Sequence, residues 1–408
     1  MKSKLGLIPS DWDVTTLGNL GKLTSGTTPS RAKQSLYFEN GNIRWVKTTD
    51  LNNGVVRQTE ESVTEKALND TSLKVLPKQT LLVAMYGGFR QIGRTGLLGI
   101  EATVNQALTA VLFTRKDVLP LYVLYWMNLK VGIWRRFAAS SRKDPNITKN
   151  DVKSFPFLKP PLPEQQKIAA ILSTWDRAID LTRQLLQEKE AQKKGLMQRL
   201  LTGKVRVKGF EGEWKEVQLG EIFSPIGKSN DGLDHTVMTI SARQGLVSQK
   251  KKFDRVIAGN SLSKYTLLKR GDLAYNKGNS KLYQMGCIYQ LEDHDSALVP
   301  FVYICFSPTD GIDSNFYKHW FLAHGLDRQL KKIITSGARG DGLLNVSKKD
   351  FFKLKAPLPT KKEQTQIGKI LSTMDDEIQL LKKKQAAIKA QKKGLMQRLL
   401  TGKIRVNP

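Results

Sequence analysis

Residues 191–207 of this 408-residue chain read AQKKGLMQRLLTGKVRV, and residues 390–406 read AQKKGLMQRLLTGKIRV. The two stretches differ only in Val205 against Ile404, and they lie 199 positions apart, close to half the chain. A period that long marks a duplicated half, not a solenoid of units of roughly 20–50 residues. The match runs upstream at the same offset. Glu164-Gln165 meets Glu363-Gln364, Ile168 meets Ile367, residues 171–174 meet 370–373, and Asp176 meets Asp375. Asn146-Ile147-Thr148-Lys149 answers Asn345-Val346-Ser347-Lys348, and Trp12 with Leu17-Gly18 echoes Trp214 with Leu219-Gly220. Between these edges the halves diverge, apart from a loose echo of Leu81-Leu82 in Leu273-Ala274. Alike at the ends and unlike in the middle, the chain reads as one scaffold carrying two different readers. Such a chain can have a pseudo-two-fold axis, which suits a target that itself comes in two halves; duplex DNA is the leading example.

The formal net charge is +29. A fold needs no such excess, so it implies a polyanionic partner, nucleic acid first and an anionic membrane surface second. No run of 18 or more apolar residues exists to span a bilayer. The first residues, MKSKLGLIPSDW, lack an apolar core of signal-peptide length. The two cysteines, Cys287 and Cys305, read as reduced core thiols. A cytoplasmic location is expected.

Residues 1–160 mix short apolar runs with Gly, Asn, Thr and Pro. Segments 42–46, 80–85 and 108–113 read as strands and 119–137 as an aromatic-rich helix. The prolines at 160, 161 and 163 close this α+β region. Residues 205–355 repeat the texture, with strands expected at 237–240, 272–275 and 301–306 and a helix over 315–334.

From 164 to 201 the pattern turns helical. Leu172, Ile179, Leu186, Lys193 and Leu200 are spaced by seven, as are Ile168, Trp175, Thr182, Lys189 and Leu196. The second copy gives Leu371, Ile378, Gln385, Lys392 and Leu399, and Ile367, Met374, Leu381, Ile388 and Leu395. Five mostly apolar heptads predict two helices that pair as a coiled coil. The alternative is two ordinary amphipathic helices on separate domains. Gly203 and Gly402 supply the helix stops. Leu196, Met197 and Leu200, with Leu395, Met396 and Leu399, are read as sealing the helix pair; docking a partner is the other reading. The lysines of these helices read as a solvated face, with contact to a partner or to DNA backbone as the functional alternative.

No enzyme motif is complete. Asp144-Pro145-Asn146-Ile147 lacks the second proline and the aromatic of an adenine methyltransferase and reads as a turn. Gly227-Lys228-Ser229 has Ile222 where a P-loop needs glycine. His319 and His324, five apart, have no cysteine pair beside them, so neither metal nor other cofactor is expected. Glu213-Trp214-Lys215 has a short nuclease-like form, but its counterpart around Trp12 has no lysine, so it reads as a structural corner.

The paired KKGLMQRLLTGK segments, the PLPEQQKIAAIL and PLPTKKEQTQIGKIL helix starts and the GNIRWVKTTDL stretch resemble a specificity subunit of a type I restriction–modification system, over essentially the whole chain. The resemblance implies two α+β target-recognition domains, each reading one half of a bipartite site in double-stranded DNA, separated by two conserved helices that pair antiparallel. It implies docking of two methyltransferase (modification) subunits, joined in turn by restriction subunits, and no catalysis by this chain. On this reading residues 1–160 and 205–356 are the recognition domains, 161–204 and 357–408 the helices and tail. The expected pairing and docking positions are Ile168, Leu172, Trp175, Ile179, Leu186, Leu196, Leu200, Ile367, Leu371, Met374, Ile378, Leu381, Leu395 and Leu399. A basic coiled-coil scaffold that binds nucleic acid without reading sequence is the competing function; a nuclease or methyltransferase lacks its motif.

Base readout needs Arg, Lys, Asn or Gln on loops that reach a groove, and phosphate contact needs Lys, Arg and small hydroxyls. Three loops of the first half fit: Lys47-Thr48-Thr49, the Tyr86-Gly87 turn with Arg90 and Gln91, and Arg142-Lys143. Their counterparts are Arg243-Gln244, Asn276-Lys277 with Asn279 and Lys281, and Arg339. For each loop alone, a solvated turn is the competing reading.

Overall fold

The computed structural model describes residues 2–3, 6–88, 91–138, 146–278, 282–334 and 344–407. They form two compact units, residues 1–182 with 384–408 and residues 183–383.

The first unit contains β1 (Asp13–Thr16), β2 (Gly21–Ser25), β3 (Ile43–Val46), β4 (Gly54–Val56), β5 (Glu61–Val63), β6 (Leu81–Ala84), β7 (Thr95–Leu98), β8 (Thr103–Val104), β9 (Leu108–Phe113), α1 (Pro120–Leu129) and β10 (Pro156–Lys159). One sheet has the order β2-β9-β6-β7-β4, a second the order β8-β3-β5, and β1 pairs with β10. The apolar run of β6 is buried along its whole length, as an interior strand requires. Its alternate residues serve two cores: Leu81 and Val83 face the α1 side, Leu82 and Ala84 the other. Helix α1 opens on proline at its first turn, where the missing N–H costs nothing. Its Tyr122 and Trp126 pack edge-on against Phe157 of β10.

The second unit contains β11 (Lys215–Gln218), β12 (Phe223–Pro225), β13 (Thr236–Ser241), β14 (Gly245–Ser248), β15 (Thr266–Lys269), β16 (Leu273–Asn276), β17 (Cys287–Gln290), β18 (Ser296–Val299), β19 (Ile304–Pro308), α3 (Ser314–Leu322) and β20 (Lys355–Leu358). The sheets are β12-β19-β16-β17 and β14-β13-β18-β15, and β11 pairs with β20 as β1 does with β10. Cys287 and Cys305 are free thiols in this core. The helix expected over 315–334 is two helices: α3 ends at Leu322, His324 takes a left-handed φ of 64°, and a new helix runs Asp327–Ile333. The strand expected from 301 begins at Ile304, because residues 300–303 form a turn closed by the Tyr303 N–H donating to Pro300 O.

Residues that match between the halves do matching work. Thr148 and Ser347 each cap a short helix, accepting from the N–H of Asp151 and Asp350. Gln165 Nε2 donates to Pro160 O at 2.8 Å, and its Oε1 accepts from Leu119 N; Gln364 repeats this with Pro359 and Asp313.

The long helices are α2 (Leu162–Leu200) and α4 (Lys361–Leu399), each of 39 residues, or about 58 Å at 1.5 Å per residue. Both stop at a glycine in the left-handed region, Gly203 with φ 69° and Gly402 with φ 70°, where a Cβ would be strained. Each unit takes part of both helices. In the first, Ile168 and Leu172 of α2 share a core with Leu399 of α4, and Leu395 packs on it. In the second, Leu200 shares a core with Ile367 and Leu371, and Leu196 packs on it. Met374 and Ile378 are buried, while Trp175, Ile179, Leu186 and Leu381 are half-buried. The lysines that interrupt the apolar rows have partners. Lys392 is paired with Asp176 in the first unit. In the second, Lys193 is paired with Asp375, Lys189 with Glu377 at 2.6 Å and Lys382 with Glu190 at 2.9 Å.

Candidate nucleic-acid interface

Each unit is closed by a clasp built from repeated residues. In the second, Glu363 is fully buried and accepts from Arg206 Nε at 2.8 Å, Arg206 Nη2 at 2.7 Å and Trp214 Nε1 at 3.0 Å. In the first, Glu164 accepts from Arg405 Nε at 2.8 Å, Arg405 Nη2 at 2.9 Å and Trp12 Nε1 at 2.8 Å, and Arg405 also holds Asp11. The guanidinium lies 5.5 Å from the Trp214 ring and 5.6 Å from the Trp12 ring. A bidentate Arg–carboxylate pair fixes direction as well as distance. It thereby ties the segment after each long helix to the start of the other long helix and to its own unit's first strand. Trp214 is thus a structural corner.

On this frame the predicted loops take different roles. Lys47 Nζ holds Glu60 at 2.8 Å and Glu61 at 2.5 Å. Burial opposes its charge, but the hydrogen bonds to these carboxylates outweigh it and raise its pKa. Thr48 is half-buried and Thr49 exposed, in a turn pinned by Asp50, which accepts from the Lys47 N–H at 2.7 Å. Tyr86 is 43% exposed after β6. Beside Gly87, Gln91 keeps a buried Oε1 with no hydrogen-bond partner among the described residues. Arg90, Arg142, Lys143, Asn279, Lys281 and Arg339 lie outside the described residues. Arg243 and Gln244 are exposed at the tip of the β13–β14 hairpin, which Tyr289 Oη steadies by donating to Ala242 O at 2.9 Å. Asn276 ends β16, its Oδ1 accepting from the Gly278 N–H at 2.9 Å. Lys277 is half-buried, and its carbonyl accepts from Leu344 N at 3.0 Å.

That last bond has a counterpart, Ile147 N donating to Met85 O at 3.0 Å. In each unit, therefore, the loop after the central strand (β6 or β16) and the return before the capped short helix share one base. The turn at Lys47 is tied instead to Glu60 and Glu61.

Sequence reading missed one basic group. Lys250, Lys251, Lys252 and Arg255 are all exposed, the lysines on a short helix Gln249–Phe253 after β14. The helix after the corresponding strand β5 in the first unit, Glu65–Asp70, carries Glu65 and Asp70 beside Lys66 instead. The run of three lysines was the available signal. Among the described residues no group of three His, Cys, Asp or Glu could hold a metal ion, and no helix is long and apolar enough to cross a membrane.

The chain is 24% identical over 432 residues to the type I restriction enzyme MjaIX specificity subunit of Methanocaldococcus jannaschii, covering 99% of this chain and 96% of that one. It is 23% identical over 387 residues to the EcoKI specificity subunit of Escherichia coli, covering 89% and 82%. Its fold is similar to that of the S subunit of a type I restriction-modification system from M. genitalium, with a TM-score of 0.59, 16% identity and 98% of both chains covered. The family described as type I restriction modification DNA specificity domain matches residues 9–191 and again 211–390. With that double match over most of its length, the chain belongs to the type I restriction modification DNA specificity domain family.

Proposed function

We propose that this chain is the DNA sequence-recognition subunit of a type I restriction–modification complex, each unit reading one half of a bipartite site in double-stranded DNA. The observation that carries the reading is one frame used twice with unlike loops. The clasp, the capped short helix and the glycine stops recur, while the segments that leave β6 and β16 share a base, at Met85 and Lys277, but not a sequence. Residues 1–160 and 205–356 are the readers; 161–204 and 357–408 are the spacer. The long helices pair antiparallel as a coiled coil and set the unread gap. Support comes from the local register, in which Lys189 meets Glu377 while Lys193, further along α2, meets Asp375.

Readout rests on Tyr86, Gly87, Gln91, Arg243, Gln244, Asn276 and Lys277, with the arginines and lysines of the neighbouring loops. Lys47 serves its own domain through Glu60 and Glu61. Two modification subunits dock on the helices, where Leu181 and Leu380, equivalent by the repeat, are 58% and 67% exposed. Restriction subunits join through them, and this chain carries out no chemistry. The charge of +29 fits the DNA partner.

The test is co-expression with the methyltransferase encoded beside it, followed by mapping of methylated adenines across a genome. Two short half-sites with one fixed gap are expected. A stable complex that leaves only scattered, motif-free methylation would replace sequence readout with a non-reading scaffold.

A further inference from the structure

Within the second unit, a cleft of about 740 Å³ opens between α3 and the two long helices. Its floor is apolar: Trp320, Met197, Leu201 and Ile378. Its rim is cationic. Lys193 and Lys382 are spoken for by Asp375 and Glu190. Lys194 and Lys204 are exposed, with no ion-pair partner among the described residues.

At the corresponding place in the first unit the lining differs. Tyr125 donates to Asp176 at 2.7 Å, as His319 faces Asp375 at 3.7 Å, so Trp126 corresponds to Trp320 and Lys130 to His324. There Lys130 lies 5.1 Å from the Trp126 ring. In the second unit Ala323, His324 and Gly325 follow the tryptophan. His324 turns back to its own helix, its ring bonding Asp327 at 2.8 Å. A Cβ on Gly325 would stand 2.4 Å from the Trp320 indole. Small residues and a turned-away histidine thus stand beside Trp320, which keeps 8% of its surface exposed and lines the cleft, where Trp126 is fully buried under a lysine stem.

We propose that this cleft binds one acidic, amphipathic partner segment per chain, its apolar side chains seated on Trp320 and Met197 and its carboxylates on Lys194 and Lys204. Charge complementarity selects the occupant. Two uncommitted ammonium groups beside an apolar floor match a helix with an apolar stripe and an acidic flank. Phosphate backbone needs the cations but gains nothing from the floor. Because this lining differs from that around Trp126, a partner held by it is fixed to one half of the pseudo-symmetric chain. The inference goes beyond DNA reading and does not depend on it.

The test uses the full chain and a fluorescein-labelled Leu/Glu peptide with leucines at i, i+3, i+4 and i+7, followed by anisotropy and by calorimetric stoichiometry. One peptide per chain is expected, with little binding of a scrambled peptide of the same composition. Lys194→Glu with Lys204→Glu should weaken binding roughly tenfold or more, as should Ala323→Leu, which narrows the cleft at an exposed position. The same reversal at the equivalent Lys393 and Lys403 of the first unit should change little. Equal weakening by both reversals, two peptides per chain, or displacement of the peptide by random duplex DNA would each overturn the assignment. Binding of a bipartite duplex by the variants, measured in parallel, reports separately on the DNA reading.

Discussion

The clasp around Glu363 gives the sharpest quantitative expectation. In Arg206→Met the carboxylate stays fully buried but keeps only the Trp214 N–H of its three donors. Breaking a buried ion pair from one side costs about 3–5 kcal/mol, because the remaining charge is left without compensation. Arg206 is 21% exposed, so water reaches the vacated space, and about 3 kcal/mol is the better figure. Loss of the guanidinium over the Trp214 ring adds about 0.5 kcal/mol. At roughly 2–4 °C per kcal/mol for a unit of this size, the second unit should melt about 7–14 °C lower, read by scanning calorimetry of the full chain. Arg206→Met with Glu363→Gln removes the stranded charge and leaves an amide oxygen for the indole, so it should recover at least half of the loss. A single variant that melts within about 2 °C of the parent, or a double variant less stable than the single, would refute the argument. Arg405→Met should act in the same way on the first unit, where Glu164 is 2% exposed.

Other expectations follow from the same structure. His319 is fully buried; burial first, and then the charges of Lys318 and Lys193, hold its pKa down to about 2. Its unfolded value is about 6.5, so the unfolded chain takes the proton first. The contribution of neutral His319 is complete above about pH 6.5 and is lost progressively below it. His319→Tyr, copying Tyr125, should therefore lose less melting temperature between about pH 7.5 and pH 5 than the parent, and equal losses would count against the assignment. Burial pushes the Cys287 thiol up to about 11 and the Cys305 thiol up to about 12. Neither should react with iodoacetamide near pH 8 until the chain is denatured; labelling of the native chain would show the second core to be open. Reversing Lys250, Lys251 and Lys252 to glutamate should lower the slope of log K against log salt by up to about 2.7, at about 0.9 per phosphate contact, leaving half-site preference unchanged. An unchanged slope would place this helix away from DNA.

Much of the architecture was legible because repetition is a property of sequence. The seven-residue spacing placed the first long helix at 164, two residues from its observed start, the repeat placed a second helix in the second half, and Gly203 and Gly402 marked the ends. Short range served less well where a turn depends on distant partners. The break at His324 follows from packing of Gly325 on Trp320, and the delayed start of β19 follows a turn whose Tyr303 hydroxyl reaches Thr239 and Ile240. The Tyr303 partners lie 64 and 63 positions away; the Gly325–Trp320 contact is local but forms where the chain takes a left-handed turn at His324.

The candidate interface divides in the same way. That Lys47 is a lysine after a strand is sequence; that it serves Glu60 and Glu61 is packing. That Glu164, Gln165 and Trp12 recur as Glu363, Gln364 and Trp214 could be read from the chain. Their union with Arg405 and Arg206 in two clasps could not. By itself the sequence determined the duplication, the two long helices and the polyanionic partner implied by a charge of +29. Those features rest on period, propensity and composition, which are local or additive. Only the tertiary structure decided which cations are paired, which loops share a base, and why one tryptophan lies under a lysine stem while its twin lines a cleft. The clasps and the shared loop bases turn on contacts between residues far apart in the chain, as in Ile147 with Met85 and Arg206 with Glu363, and no local pattern encodes such distances.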